Sequence, residues 1–410
     1  MQAPLVSMPH LGLGSIAVIG AGVSGCALAA QLGLLGHPGP ISLWETGRGP
    51  GGRASTRRSR QDAGLRIDHG APLFNITGAT DPQLLQPLLT GGWIEPWPGV
   101  IAQLQGESTL RLGPVDAMGL GSLYRGLGGM DHLCRGLLSL AGDGYGAHYG
   151  TLVRFLARQD GLWHLYGQDR QLLAQAEWLV LSSTLLAHPR SRMIFGWHDV
   201  PLKEAAAAAA EPDLQLDHAL TLIAGIHTEA RSNLLMVLDP AAALPWLGLP
   251  FSLLHLDAAA QQRWGLQQIT IQPLDDGRCA VVAHSSHAFA ADHLDVYGTH
   301  SAVAKMLQLP PDQGRQETVI AALTAAVEAV MEPWLSSLDL GGSQRQLMRW
   351  GAAYPLAPGL PVALRCCAQS QLAFCGDFMA GVGFGRIEGA LRSGEDLAFE
   401  LCSQPVNHCV

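Results

Sequence analysis

Residues 16–25 read IAVIGAGVSG, a short apolar strand running straight into Gly20-x-Gly22-x-x-Gly25 and then into an apolar helix predicted over about Val23 to Leu35. Few arrangements accommodate this run. Gly20 permits the tight turn, Gly22 leaves its backbone open to a close-lying pyrophosphate, and Gly25 lets the helix pack against the strand. The helix start then offers free N–H groups and a positive dipole end. A second apolar run, ISLWE, ends at Glu45, about 20 residues after Gly25, where a carboxylate accepts hydrogen bonds from ribose hydroxyls. Strand, turn, helix and acid together predict a dinucleotide site, without saying which dinucleotide.

The chain has 410 residues, enough for two domains or one with a sizeable insertion. Hydrophobic residues make up 48% and charged residues 14%, which excludes a disordered chain. A net charge of −9, with no basic run longer than Arg57-Arg58-x-Arg60, argues against nucleic acid as a partner. The eight cysteines include no CxxC pair, so neither zinc nor another metal is expected. Reduced thiols and the absence of a signal-peptide pattern at the N-terminus make a cytoplasmic location the expectation. The most apolar stretch, 241–256, is interrupted by Pro245 and Pro250 and falls short of a membrane span, so no stable membrane insertion is expected.

Along the chain, 1–80, 120–190 and 336–410 read as a discontinuous nucleotide-binding α/β domain. Residues 81–119 and 191–335 read as a substrate domain. In the latter, KEAAAAAAE (203–211) is predicted helical on propensity. The runs ALTLIAGI, SLLHLD, QQITIQPL and CAVVAHSSH read as strands, the last two joined by a turn at Asp275-Asp276-Gly277. Helices are predicted at about 293–308 and 316–332. The fold class is therefore α/β: a Rossmann-type domain with an inserted α+β domain built on an antiparallel sheet.

Two further motifs refine the cofactor. Gly51-Gly52-Arg53, with Arg48 upstream, sets guanidinium groups beside flexible backbone directly after the ribose acid, and guanidinium pairs well with phosphate. Near the other end, LAFC leads to Gly376-Asp377. The turn AGVGFG (380–385) then opens a helix at about Arg386. An acid at a strand end can hold a polyol, and a helix start can stabilise a ring that turns anionic on reduction. FAD has both features and NAD lacks the polyol.

GxGxxG, the acid, RxxGGR and the C-terminal GD with EGAxxSG together resemble the FAD-binding amine-oxidase superfamily. Within it the chain is most similar to the renalases, especially the bacterial type: RGPGGRASTRR, Asp68-His69-Gly70-Ala71, AVVAHSSHAFAADHLD and Arg349-Trp350 carry that likeness. The resemblance implies a non-covalent FAD. Gly20, Gly22, Ser24 and Gly25 hold its pyrophosphate and Glu45 its adenosine ribose. Arg48, Gly52, Arg53 and Ala54 line the phosphate and flavin approach, and His69, Gly70 and Ala71 lie near the ring. The backbone of Val153, in the strand TLVRF, meets the adenine. Gly376 and Asp377 hold ribitol, and Arg386 and Ile387 cap the ring.

The same resemblance implies oxidation of 2- or 6-dihydro-NAD(P) by hydride transfer to flavin N5, with O2 as acceptor and H2O2 as product. Trp350, Tyr354, His284 and His255 are the substrate candidates. Amine oxidases of the superfamily usually set a lysine near N5, but this chain has only Lys203 and Lys305, neither suitably placed. The covalent-flavin cysteine motif is also missing, since Cys375 sits in FCGD. Met348 stands before Arg-Trp where bacterial renalases often have a polar residue, and material at about 186–250 looks additional. A desaturase, isomerase or amine-oxidase-like enzyme for a more apolar substrate, and a non-catalytic flavin-binding protein, stand as alternatives.

Overall fold

The apolar strand Ile16–Ile19 lies at the centre of a six-stranded sheet. In order, the sheet holds 145–149, 41–45, 16–19, 178–181, 372–374 and 366–367, all parallel except the last pair. In this computed structural model the described residues are 14–403 except 114–118, 300, 302–303, 305–308, 311, 337, 339 and 341. Such a sheet is buried on both faces, which is why its strands are continuous apolar runs. Helices Val23–Leu34, Asp131–Leu140 and Ile387–Ser403 cover one face. A small antiparallel sheet (155–159, 162–166, 172–176) and helices Pro201–Ala207 and Leu214–Ala224 cover the other.

The second sheet has seven strands in the order 344–355, 228–238, 279–285, 266–273, 253–256, 101–105 and 109–112. It is antiparallel except between 253–256 and 101–105. Strand alternation gives it two unlike faces. Leu234, Leu254, Ile269, Ala283 and Leu347 point into an apolar core with Val319, Leu323 and Val327 of helix Gln313–Met331. The intervening residues face the Rossmann half across a cleft.

The fold class is as expected, but the two units divide at other residues. Helix Leu85–Thr90 and strand Ile94–Pro96 pack with the nucleotide-binding half, not with the substrate sheet. Residues 191–226 also pack there, against the face away from the helices. Conversely, 344–355 is an edge strand of the substrate sheet.

ALTLIAGI is not a strand. Asp213 accepts from Gln215 N and Leu216 N (3.0 and 3.1 Å), capping a helix that buries Leu216, Ala219, Leu220 and Ile223, a helical spacing. The Ala run ends its helix at Ala207, since alanine propensity without a face to bury does not sustain one. Of the helix expected at 293–308, residues 300, 302–303 and 305–308 lie outside the described residues, and 293–295 are turn, not helix. Among the described residues no helix is long and apolar enough to cross a membrane.

Candidate active site

The Gly-rich turn behaves as its spacing predicts. Gly20 has φ +107°, and a Cβ on Gly25 would lie 2.2 Å from Gly20 O, so no larger residue fits between helix and strand. A Cβ on Gly22 would meet nothing within 4 Å: this backbone faces the open cleft. The GGR loop abuts the turn, with Gly51 N donating to Ala21 O (2.9 Å) and Gly22 bridging to Gly51. Glu45 accepts from Ala21 N (3.0 Å) and Gly47 N (2.5 Å), which fixes its carboxylate at the mouth of the cleft. Gly70 and Ala71 strap onto the same loop through Ala71 N to Arg53 O (2.9 Å).

Arg53 and Asp377, 324 residues apart, form a two-pronged ion pair (2.6 Å at both prongs), and Arg53 also donates to Ala353 O (2.8 Å). Burial opposes the guanidinium's charge, but Asp377 outweighs it and the Arg53 pKa rises. The two residues were expected to hold different parts of a cofactor, yet here they hold each other and tie the N-terminal loop to the C-terminal turn. Arg386 donates to Asn75 Oδ1 (3.0 Å) and Thr77 Oγ1 (2.8 Å), placing the start of helix Ile387–Ser403 on the cleft.

Of the predicted residues, Gly20, Gly22, Ser24, Glu45, Gly52, Arg53, Ala54, Gly70, Ala71, Asp377, Arg386 and Ile387 line one continuous cleft with Trp350, Tyr354, His255 and His284. Gly25, His69 and Gly376 stand behind it. His69 acts through its carbonyl, which accepts from Asn233 Nδ2 (2.6 Å) and Trp350 Nε1 (3.3 Å). Gly376 N is held by Ser393 Oγ (2.8 Å).

The strand expected at TLVRF starts at Phe155, so Val153 lies before it, with its side chain in the apolar cluster around Trp163 and Phe374. Arg48 is exposed and outside the lining.

Other lining residues carried no motif. Ser182 Oγ donates to Ile19 O (3.0 Å) and Gly20 O (2.9 Å), bracing the turn. Its one sequence signal is its place at the end of the parallel strand WLVL. Arg190 reaches the cleft from the first helix of the 186–250 segment. Its Nη2 donates to Thr184 Oγ1 (3.0 Å), while its Nε and Nη1 are buried without a partner. Burial, and then the charge of Arg53, push its pKa down to about 10, leaving it a cation at neutral pH. Arg231 is 3% exposed and spends its charge on Glu229 (2.5 Å), with Nε on Gln267 (2.6 Å).

Of the four arginines in the lining, Arg53, Arg231 and Arg386 are paired with Asp377, Glu229 and Glu388, which leaves Arg190 as the cation with no carboxylate beside it among the described residues. The open Gly22 and the unpartnered Arg190 N–H groups fit a diphosphate. The other end is uncharged. Burial, then the nearby Arg231, holds His284 down at about 3, and burial, then Arg57, holds His69 at about 4. The same burial raises Asp68 to about 6, so adjacent residues are both driven toward their neutral forms. Lys203 is outside the lining, and Lys305 falls outside the described residues.

The profile of the NAD(P)-binding Rossmann-like domain family matches residues 18–88. No curated protein matches the chain in sequence. Solved structures share its fold over nearly the whole length. One is a protein assigned as protoporphyrinogen oxidase from Exiguobacterium sp. 255-15 (12% identity, 96% of this chain and 99% of that one, TM-score 0.62). Another is cyclohexylamine oxidase from Brevibacterium oxydans IH-35A (13%, 96% and 99%, 0.60). A third is an oxidoreductase from Methanosarcina mazei (11%, 93% and 99%, 0.59). At these identities the likeness establishes the architecture: a Rossmann domain carrying an inserted mixed sheet.

Proposed function

We propose that the chain is an FAD-dependent oxidoreductase of the amine-oxidase type that oxidises an uncharged, largely apolar small molecule and passes the electrons to O2. The observation that carries this reading is the asymmetry of the cleft. One end has backbone exposed at Gly22, the carboxylate of Glu45 and the unpartnered N–H groups of Arg190, which suits a dinucleotide diphosphate and ribose. The other end has Trp350, Tyr354 and His284, which is held neutral, and no free charge to bind an ionic substrate.

FAD, when bound, supplies the hydride acceptor and the route to O2. The chain's own residues bind, orient and exclude water. Gly20, Gly22, Gly52 and Arg190 hold the diphosphate, without a covalent link. The Arg53–Asp377 pair fixes the loop and turn around the middle of the cleft. Trp350 and Tyr354 give a planar substrate a wall to lie against. Two fold relatives are named as oxidases of cyclic compounds, cyclohexylamine and protoporphyrinogen, in keeping with a ring-shaped, weakly polar substrate. The aromatic wall also suits a dihydronicotinamide ring, which keeps 2- and 6-dihydro-NAD(P) as the second reading.

The test is purification with FAD followed by anaerobic mixing. The protein is expected to be yellow and to bleach with a neutral cyclic donor such as cyclohexylamine at high pH. Faster bleaching by 2- or 6-dihydro-NAD(P) would promote the second reading. A flavin-loaded protein that no donor reduces would be a binding protein, and a chain that takes up no FAD would overturn the proposal.

A further inference from the structure

One row of polar side chains crosses the substrate sheet on its cleft face. By strand register His255 lies opposite Gln268, Gln268 opposite His284, and His284 opposite Asn233. Their exposures are 7%, 4%, 2% and 0%. An antiparallel sheet that buries one face normally fills such a row with apolar residues, as this sheet does one residue along, at Leu254, Ile269, Ala283 and Leu234. A buried polar atom without a partner costs stability. Two atoms of this row, His284 Nε2 and Asn233 Oδ1, carry that cost, and both residues line the cleft.

The chemical sense of each atom follows from its neighbours. Asn233 Nδ2 donates to the carbonyl of His69, so Oδ1 is a free acceptor. The amide Nε2 of Gln268 faces His284 Nδ1 at 3.3 Å, so Nδ1 accepts and the single proton of the neutral ring sits on Nε2, a free donor. As directly opposed residues on one face, their Cβ atoms lie about 5 Å apart. A free donor and a free acceptor therefore stand side by side on two residues that line the same cavity.

We propose that His284 and Asn233 form a two-point recognition site for a neutral substrate group that accepts one hydrogen bond and donates another, a primary carboxamide being the class that fits. This rests on the flavin-enzyme reading above and specifies its substrate. A carboxylate has nothing to donate to Asn233, and an ammonium has nothing with which to accept from His284. Nor does the floor offer either ion a counter-charge. His284 stays uncharged down to about pH 3, and Arg231 is taken up by Glu229 and Gln267.

The probe is benzamide, with benzoate and benzylamine as controls, titrated into the FAD-loaded full-length protein and followed by the flavin absorbance shift. Benzamide is expected to bind at least tenfold tighter than either control. His284→Leu is expected to lose that tenfold preference, and His284→Gln, which restores an N–H donor, to recover most of it. FAD content and melting temperature of each variant report folding separately. Equal affinity for the three probes, or a folded His284→Leu that keeps its preference, would overturn the proposal. If the protein takes up no FAD, the flavin reading fails on its own. The same titration is then done calorimetrically on the apo chain, where benzamide selectivity supports the two-point site and its absence overturns it.

Discussion

The two walls of the cleft are made differently. The wall on the Rossmann side is mostly backbone: Gly22 and Gly52 present main chain, and Glu45 is fixed by the backbone N–H groups of Ala21 and Gly47. The wall on the substrate sheet is mostly side chain, with His255, His284 and Asn233 supplied by three different strands. A backbone wall depends on a short stretch of chain, so its motif survives in local sequence. A side-chain wall depends on which strands pair and in what register, and one slipped residue would turn the whole row to the other face.

Breaking the backbone wall is expected to have the largest effect. Gly25→Ala forces a Cβ to 2.2 Å from Gly20 O and should cost about 3 kcal/mol or more, seen as a large drop in melting temperature together with loss of FAD. An unchanged melting temperature would mean the helix and strand do not need this close approach.

The side-chain wall should reveal itself by acid sensitivity. The folded pKa of His284 lies below its unfolded value near 6.5, so the unfolded state takes up protons first as pH falls. Its contribution is fully present above about pH 6.5 and is lost from there toward pH 3, amounting to up to about 3 kcal/mol at pH 4. Denaturant melts at pH 7 and pH 4 should show a flatter pH dependence for His284→Gln than for the natural chain. Asp68 acts with the opposite sign: its raised pKa costs stability as pH rises from about 4 to about 6. Asp68→Asn, which keeps an acceptor for Thr56 and Met130 N, should therefore gain stability at pH 7.

The join between the walls comes next. Asp377→Ala leaves Arg53 with only the Ala353 carbonyl and is expected to cost about 1–3 kcal/mol and to weaken FAD retention on ultrafiltration. Retention equal to that of the natural chain would remove Asp377 from the site. The smallest change in stability belongs to Gly22→Ala, within about 0.5 kcal/mol, because its Cβ meets nothing. Yet FAD affinity should fall roughly tenfold or more, about 1.4 kcal/mol. The contrast between Gly22 and Gly25, three residues apart, separates a cofactor contact from a packing contact.

The legible part of the site follows this division. The turn, Glu45, the GGR loop, Gly70-Ala71 and the Gly376-Asp377 turn all fall where motif spacing puts them. Arg53 and Asp377 were visible as residues but not as partners, since nothing local joins positions 324 apart. Val153 reads as strand because it is apolar, but the strand starts two residues later, at Phe155. Asn233 and Arg231 lie in a strand, Thr228–Leu238, that no periodicity announced. It is a central strand, polar where it meets the cleft and apolar further along. Arg190 is the last residue of the 120–190 stretch read as nucleotide-binding, and no motif marked it as a residue of the cleft.

The sequence alone carries the Rossmann half, its dinucleotide turn and the glycine positions, because those are set by φ angles and close contacts within a few residues. Tertiary structure decided the rest: that Arg53 meets Asp377, that Arg190 lines the cleft with two unpartnered N–H groups, and that His284 and Asn233 stand side by side. These contacts span long stretches of chain. They exist only once strand register and the packing of two sheets bring the residues together.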